Sequence, residues 1–409
     1  LPPQSLHPTS RLSLGPPPRA LDSRVVEISL QIELSMGLIA LAVAAYAMVA
    51  ARLARWSISA AFSFFVIGAI IGGLGVGIVV ADLPSPDAFG LLAEITLALV
   101  LFSSASTIRL KRLEVDSPIV ARLLAIGLPL TIIGGTLLAL GLFPGITFGL
   151  ALLIGATLAP TDADLGQQVI TDTSVPARVR RVLNVESGLN DGIVAPLITV
   201  AIALAIYGEV DGLQPLWNAV RELGLAVLVG GSIGGIGRWL LIRADLRGTA
   251  SESSRQLATL ALALAAFFIA AGLEASGFIA AFAAGITFGL GLKERVESAV
   301  SFTEAQGTLL SIIVWLVFGL AVVEEHVLGL DDPMVVVYAA LSLTLARILP
   351  VALALVGSGF DRVSVLFMGW FGPRGLASVV FVLLGIEVLD EAGVSSDPLG
   401  PVVAWTVVL

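Results

Sequence analysis

Three acidic side chains, Asp162, Glu186 and Asp191, lie within two consecutive apolar segments of the stretch Ala156 to Val200. A carboxylate at the centre of a transmembrane helix costs roughly 2.5–3.5 kcal/mol on insertion scales. A chain that keeps three of them so close is expected to use them, and the default chemistry is an ion or proton path. Spacing sorts the residues around them. Ser187 and Asp191 are four apart and share one helix face, with Asn190 on its edge. Glu186 is five before Asp191, about 140° around the helix, and points elsewhere. Upstream, Pro160-Thr161-Asp162 interrupts an apolar run. Pro160 removes a backbone donor and clashes with the preceding turn, so this segment is expected to be two half-helices. Thr161 or Asp162 would cap the second half, where an acid meets the positive end of the helix dipole. A simple proline kink with an acidic cap is the structural alternative.

The elements that must position these groups are membrane helices. The 409 residues are 57% hydrophobic and only 13% charged, with mean hydropathy +1.00, whereas a soluble chain is about 25% charged. Apolar runs of about 20 residues recur along nearly the whole length, which sets the fold class: all-α, a polytopic membrane protein in a lipid bilayer. There is no cysteine, so disulfides, thiolate metal sites and thiol catalysis are excluded. His7 lies in a Pro-rich head and His326 in a polar loop; both read as solvated residues rather than ligands. No cofactor and no nucleic-acid partner is expected. Residues 1–30 are expected to be disordered, because the Pro-, Ser- and Arg-rich head has no apolar periodicity. The chain opens on Leu1 rather than Met, so the native start is expected to differ, and the run ending at Leu409 is too short to cross a bilayer.

Polar and Gly/Pro breaks divide the remainder into about thirteen spans, the last incomplete. Approximate limits are 31–52, 58–81, 87–106, 117–142, 144–173, 177–206, 215–243, 255–273, 275–292, 299–322, 333–356, 363–388 and 398 onward. Their connections alternate in charge. Arg52 and Arg55, Arg109 to Arg112, Arg178 to Arg181, Arg243 and Arg247, Lys293 and Arg295, and Arg362 mark one side. Asp82 and Asp87, Glu209 and Asp211, Glu274, Glu324 to Asp332, and Asp390 with Glu391 mark the other. Lys and Arg are retained in the cytoplasm. The N-terminus is therefore expected outside the plasma membrane, with the thirteenth span ending inside.

In that register Asp191 is about 21 Å of helical rise from the cytoplasmic start of span six, near or just past the midplane, and Asp162 reaches a similar depth on span five. Arg347, about fourteen residues into span eleven, is equally deep, and a Glu186–Arg347 ion pair is the economical partner for both. Span twelve has its own break at Gly372-Pro373-Arg374-Gly375. Paired interruptions in matching segments indicate inverted repeats with a site between two broken, crossing helices; spans 4–6 and 11–13 would be the matching triples. Arg374 could neutralise the carbonyl end of a half-helix, a structural role favoured here over direct ion contact. Glu94, buried in span three, could line an ion funnel or satisfy a neighbour.

These segments resemble the monovalent cation/proton antiporters of the sodium/hydrogen exchanger superfamily, prokaryotic sodium/proton branch. The likeness is carried by Thr161-Asp162 in a broken span, by VPARVRRVLNVESGLNDGIVAPL with its E-S-x-x-N-D pattern, by GFIAAFAAGITFG, by Arg347 and by GWFGPRGLASVVF. It covers nearly the whole chain after about residue 30. The resemblance implies a homodimer. Its mobile core would be spans of about 117–206 and 333–409, moving against interface spans of about 31–106 and 255–322, with span 215–243 as linker. It implies that Asp191 carries the cation or proton and that Asp162, Thr161 and Ser187 complete an oxygen shell for Na+, with Asn190 orienting it. Glu186 and Arg347 would be the stabilising ion pair. Asn190 before Asp191 implies electroneutral exchange of Na+ (or Li+) for H+ by alternating access, in the service of pH homeostasis, with no enzymatic reaction.

Proton and cation would compete for one carboxylate, and competition with alternating access gives antiport. A potassium/proton exchanger fits nearly as well. From another class, an intramembrane aspartyl protease uses two acids on adjacent helices sharing a proton, but its Tyr-Asp and Gly-x-Gly-Asp motifs are absent around Asp162 and Asp191.

Overall fold

The structure, a computed structural model, describes residues 23–54, 56, 58–73, 86–107, 117–162, 165, 169, 172–208, 214–290, 294–322 and 332–409. Those residues form sixteen α-helices: α1 Ser23–Ala54, α2 Ala60–Gly73, α3 Pro86–Thr107, α4 Ser117–Arg122, α5 Leu128–Leu142, α6 Phe148–Thr157, α7 Ala177–Tyr207 and α8 Gln214–Arg247. They continue as α9 Glu252–Gly272, α10 Gly277–Gly289, α11 Glu294–Val322, α12 Pro333–Leu343, α13 Leu345–Ala354, α14 Arg362–Trp370, α15 Leu376–Glu391 and α16 Leu399–Val408. Among the described residues seven helical segments are long and apolar enough to cross a membrane. The other expected spans fall on shorter helices: the Ile39–Leu53 part of α1, then α2, α6, α10, the α14–α15 pair and α16.

Helix boundaries follow local chemistry. Thr147 caps α6 by accepting from the Leu150 N–H at 3.2 Å, and Asp332 caps α12 by accepting from Met334 at 2.8 Å. Asp361 caps α14 through the Val363 and Ser364 amides; hydrogen bonds, first that to the Ser364 side chain, hold its carboxyl below the usual range. Between α4 and α5 the chain widens into a π turn, Leu123–Gly127, where the Leu128 N–H bonds back to Leu123 O. Pro129 has no N–H for the carbonyl four residues before it, and the wider turn re-partners the backbone.

Two expectations need correction. Helix α1 already begins at Ser23, so residues 23–30 are helical rather than disordered; the proline-rich composition stops at Pro18 and Val25, Val26, Ile28 and Leu30 are apolar. Residues 1–22 lie outside the described residues. Span eleven, read as continuous, is interrupted at Thr344 between α12 and α13. The Thr344 hydroxyl takes the Ala340 carbonyl at 2.6 Å, and a short polar side chain that competes for backbone carbonyls loosens a helix.

Packing brings distant segments together. Helix α6 lies between α5 and α7 and against α15 and α16; α13 rests on α5 and α14. A second set, α2, α3, α8, α9, α10 and α11, packs among itself. The sets meet where α3 and α10 touch α7 and where α3 and α11 touch α15.

Candidate functional site

Helices α6 and α15 run antiparallel: the Ser378 hydroxyl donates to Thr157 O at 2.7 Å, and Gly385 faces Leu153 one end further along. Each is half of an interrupted segment, and the interruptions coincide. The Asp162 N–H donates to Pro373 O at 2.9 Å. Asp162 Oδ2 accepts from the Leu376 N–H at 3.0 Å, and Oδ1 accepts from the Leu165 N–H at 3.2 Å. One carboxylate thus satisfies the first amide of α15 and an amide of its own segment's downstream half. Most of that downstream half lies outside the described residues. Opposite in sign, Arg374 Nη1 donates to Ala159 O at 2.8 Å and to Pro160 O at 3.1 Å, beyond the last turn of α6. The orphan amides meet an acid and the orphan carbonyls meet a cation, which is the arrangement a helix dipole favours.

That approach needs missing side chains. A Cβ on Gly375 would collide with the Asp162 carboxylate, and one on Gly372 would lie 3.1 Å from the Thr161 methyl and 3.2 Å from Arg347 Nε.

Next to Asp162, Thr161 faces α7. Its Oγ1 is 2.8 Å from Ser187 Oγ and accepts from Asn190 Nδ2 at 2.9 Å. Thr161, Ser187 and Asn190 are all buried, whereas Asp162 and Asp191 are half-buried. Asn190 is wholly inaccessible, and among the described residues its Oδ1 has no hydrogen-bond partner. Asp191 follows Ser187 by one helical turn on the same strip. The structure therefore ties Thr161, Ser187 and Asn190 together and sets the two acids at the margins of that knot. Every polar atom offered there is oxygen except the Asn190 amide nitrogen, a donor set suited to a hard cation or a proton.

Glu186 points away, to α13. Arg347 Nη2 stands 2.9 Å from both Glu186 carboxylate oxygens, and the two side chains are 2% and 1% exposed. Charges so deep persist only when paired.

Some participants carried no sequence signal. Ser378 bridges to Thr157, and Tyr338, wholly buried on α12, donates to Gly135 O of α5 at 3.1 Å. Hydroxyls in apolar helices usually bond back to their own turn, as Thr131, Thr136 and Thr406 do, so hydropathy cannot tell which reach across. Gly375 had a signal: it belongs to the Gly-Pro-Arg-Gly break.

The profile of the family described as sodium/hydrogen exchanger, transmembrane, matches residues 28–409. The chain is 27% identical over 343 residues to the Na(+)/H(+) antiporter ApNhaP of Aphanothece halophytica, covering 78% of this chain and 62% of that one. It is 26% identical over 237 residues to the K(+)/H(+) antiporter NhaP2 of Shewanella sp. (strain MR-4), covering 57% of this chain and 40% of that one. The chain thus spans less than two thirds of either relative. Its fold is similar to that of the sodium proton antiporter MjNhaP1 from Methanocaldococcus jannaschii, with TM-score 0.75 and 22% identity over 92% of this chain and 98% of that one.

Proposed function

We propose that this chain, which belongs to the sodium/hydrogen exchanger family, exchanges Na+ (or Li+) for H+ across the plasma membrane, one for one, by alternating access. The observation that carries the reading is the buried cluster at the helix crossing, where Thr161, Ser187 and Asn190 are tied together next to Asp162 and Asp191 in the chain. Two buried arginines, Arg347 and Arg374, are set against three acids: Glu186, Asp162 and Asp191. Arg347 is taken by Glu186, and Arg374 and Asp162 neutralise opposite helix ends. A proton and a monovalent cation would compete for the Asp191 carboxylate, because a low-dielectric site disfavours holding both together.

In this reading Asp191 carries the exchanged charge. Thr161 and Ser187 offer hydroxyl oxygen, Asp162 offers carboxylate, and Asn190 holds Thr161 in place. The moving body is α4–α7 with α12–α16, spans of about 117–206 and 333–409. It shifts against spans of about 31–106 and 255–322, with α8 as linker. The protein works as a homodimer with its N-terminus outside and its C-terminus in the cytoplasm. A K+/H+ exchanger is the second reading, supported by the potassium specificity in the name of the Shewanella relative.

The test is collapse of an imposed pH gradient in proteoliposomes after adding Na+, Li+ or K+ in turn, for wild type and for Asp191→Asn. Collapse with Na+ or Li+, abolished by the substitution, is expected. Collapse with K+ alone would replace Na+ by K+ as substrate, and wild-type flux in the variant would end the role of Asp191.

A further inference from the structure

We infer that Phe282 and Phe278 of α10 form the gate that shuts Asp191 off from the outer side of the membrane, with Gly192 as the notch that receives the Phe282 ring. Helix α10 has two working faces. On the first, Ala280 and Ala284 lie so close to Gly230 and Gly234 of α8 that a Cβ on either glycine would collide with the alanine carbonyls. On the second, Gly285 and Gly289 stand in the same relation to the carbonyls of Phe102 and Ser106 on α3. Backbones interlocked in this way do not slide.

The same strip carries rings nearer the start of the helix. Phe278 and Phe282 are one turn apart. Phe278 stacks edge-on against Phe381 of α15, ring centroids 6.0 Å apart at 83°, and lies 5.5 Å from Phe267 of α9. The Phe282 ring rests on Gly192 of α7, where a Cβ would be 2.7 Å from Phe282 Cγ. Gly192 is the residue after Asp191. Ring-to-backbone and ring-to-ring contact is apolar, so this end of α10 can release α7 and α15 without leaving a polar group unpaired. The fixed post and the sliding contact are thus parts of one short helix.

Position along the membrane gives the side. Phe278 and Phe282 fall in the first half of α10, just after the acidic Glu274 connection, and Phe381 lies beyond Leu376 toward Asp390 and Glu391. Both acidic connections are read as outer. The rings therefore stand between the helix crossing and the outer face, and an apolar constriction of this kind closes a path by excluding water.

The inference rests on the antiport reading, so its test must separate the two. The full chain is reconstituted in liposomes and the decay of an imposed pH gradient is followed with and without Na+, Li+ or K+. Phe282→Ala is expected to leak protons without added cation about tenfold faster than wild type. Phe282→Leu, which keeps apolar bulk, should restore tightness. Gly192→Ala, which expels the ring from its notch, should leak as Phe282→Ala does. If Phe282→Ala does not elute as a single folded species, Phe282→Val takes its place. A wild type with no cation-dependent decay with any of the three ions removes the antiport reading itself. A wild type that exchanges, while the Phe282 and Gly192 variants hold the gradient equally well, removes the gate alone.

Discussion

Asp162 Oδ2 lies 3.0 Å from the backbone nitrogen of Leu376: the acid of one interrupted membrane segment caps the helix that resumes in the other. Two segments more than 200 residues apart in sequence thereby share one charge. Asp162 Oδ1 is simultaneously engaged by Leu165, so the carboxylate is a joint between the two interruptions before it is anything else. An ion bound beside it would meet a side chain already fixed in place, which lowers the ordering cost of binding.

Gly375→Ala should break that joint. The new methyl would collide with the Asp162 carboxylate, and an overpacked site costs about 1–3 kcal/mol. Thermal unfolding in detergent should show the loss of stability, and cation titration should show weaker binding. Unchanged values of both would mean that the crossing adapts.

Glu186→Gln should destabilise strongly, because it leaves Arg347 buried without a counter-charge; removing one partner of a buried pair costs about 3–5 kcal/mol. Replacing both, as Glu186→Gln with Arg347→Met, should cost less than the sum of the single changes. A double-variant cycle on unfolding midpoints measures the coupling, and strict additivity would mean that the 2.9 Å contact contributes nothing.

Thr161→Val keeps the shape and deletes the hydroxyl on which Ser187 and Asn190 converge. Leaving buried donors unpaired costs about 1–3 kcal/mol. Apparent cation affinity should fall with it, while Thr161→Ser should recover most of both. Equal affinity in the valine variant would show that the knot is structural only.

The pH dependence of exchange has a definite sign under the proposed function. A proton on Asp191 removes the charge that holds the cation. The apparent KM for cation should therefore rise as pH falls, at unchanged maximal rate, by up to tenfold per pH unit well below the pKa of the site. Rate measurements over cation concentration at several pH values decide this. A KM independent of pH would exclude competition for one site.

Much of this molecule was legible along the chain because its signals are local. Apolar runs of helical length gave the membrane helices, Pro160 and Pro373 gave the interruptions, and the E-S-x-x-N-D spacing sorted Glu186 from Ser187 and Asp191 by angle alone. The limits of legibility are equally physical. Thr344 interrupts span eleven through a carbonyl it borrows from its own helix, and nothing in hydropathy distinguishes such a threonine from Thr131, which does the same inside an unbroken helix.

Sequence by itself determined that charged residues would interrupt apolar helical segments, and which segments, since hydropathy and helical rise depend only on residue type and position. Tertiary structure alone decided the partners: Asp162 with Leu376, Arg374 with the carbonyls of Ala159 and Pro160, Thr161 with Asn190, Phe282 with Gly192. Those pairings depend on which helix faces meet and how closely. That is set by the glycines that let backbones touch and by the packing of the whole bundle, a property no single segment carries.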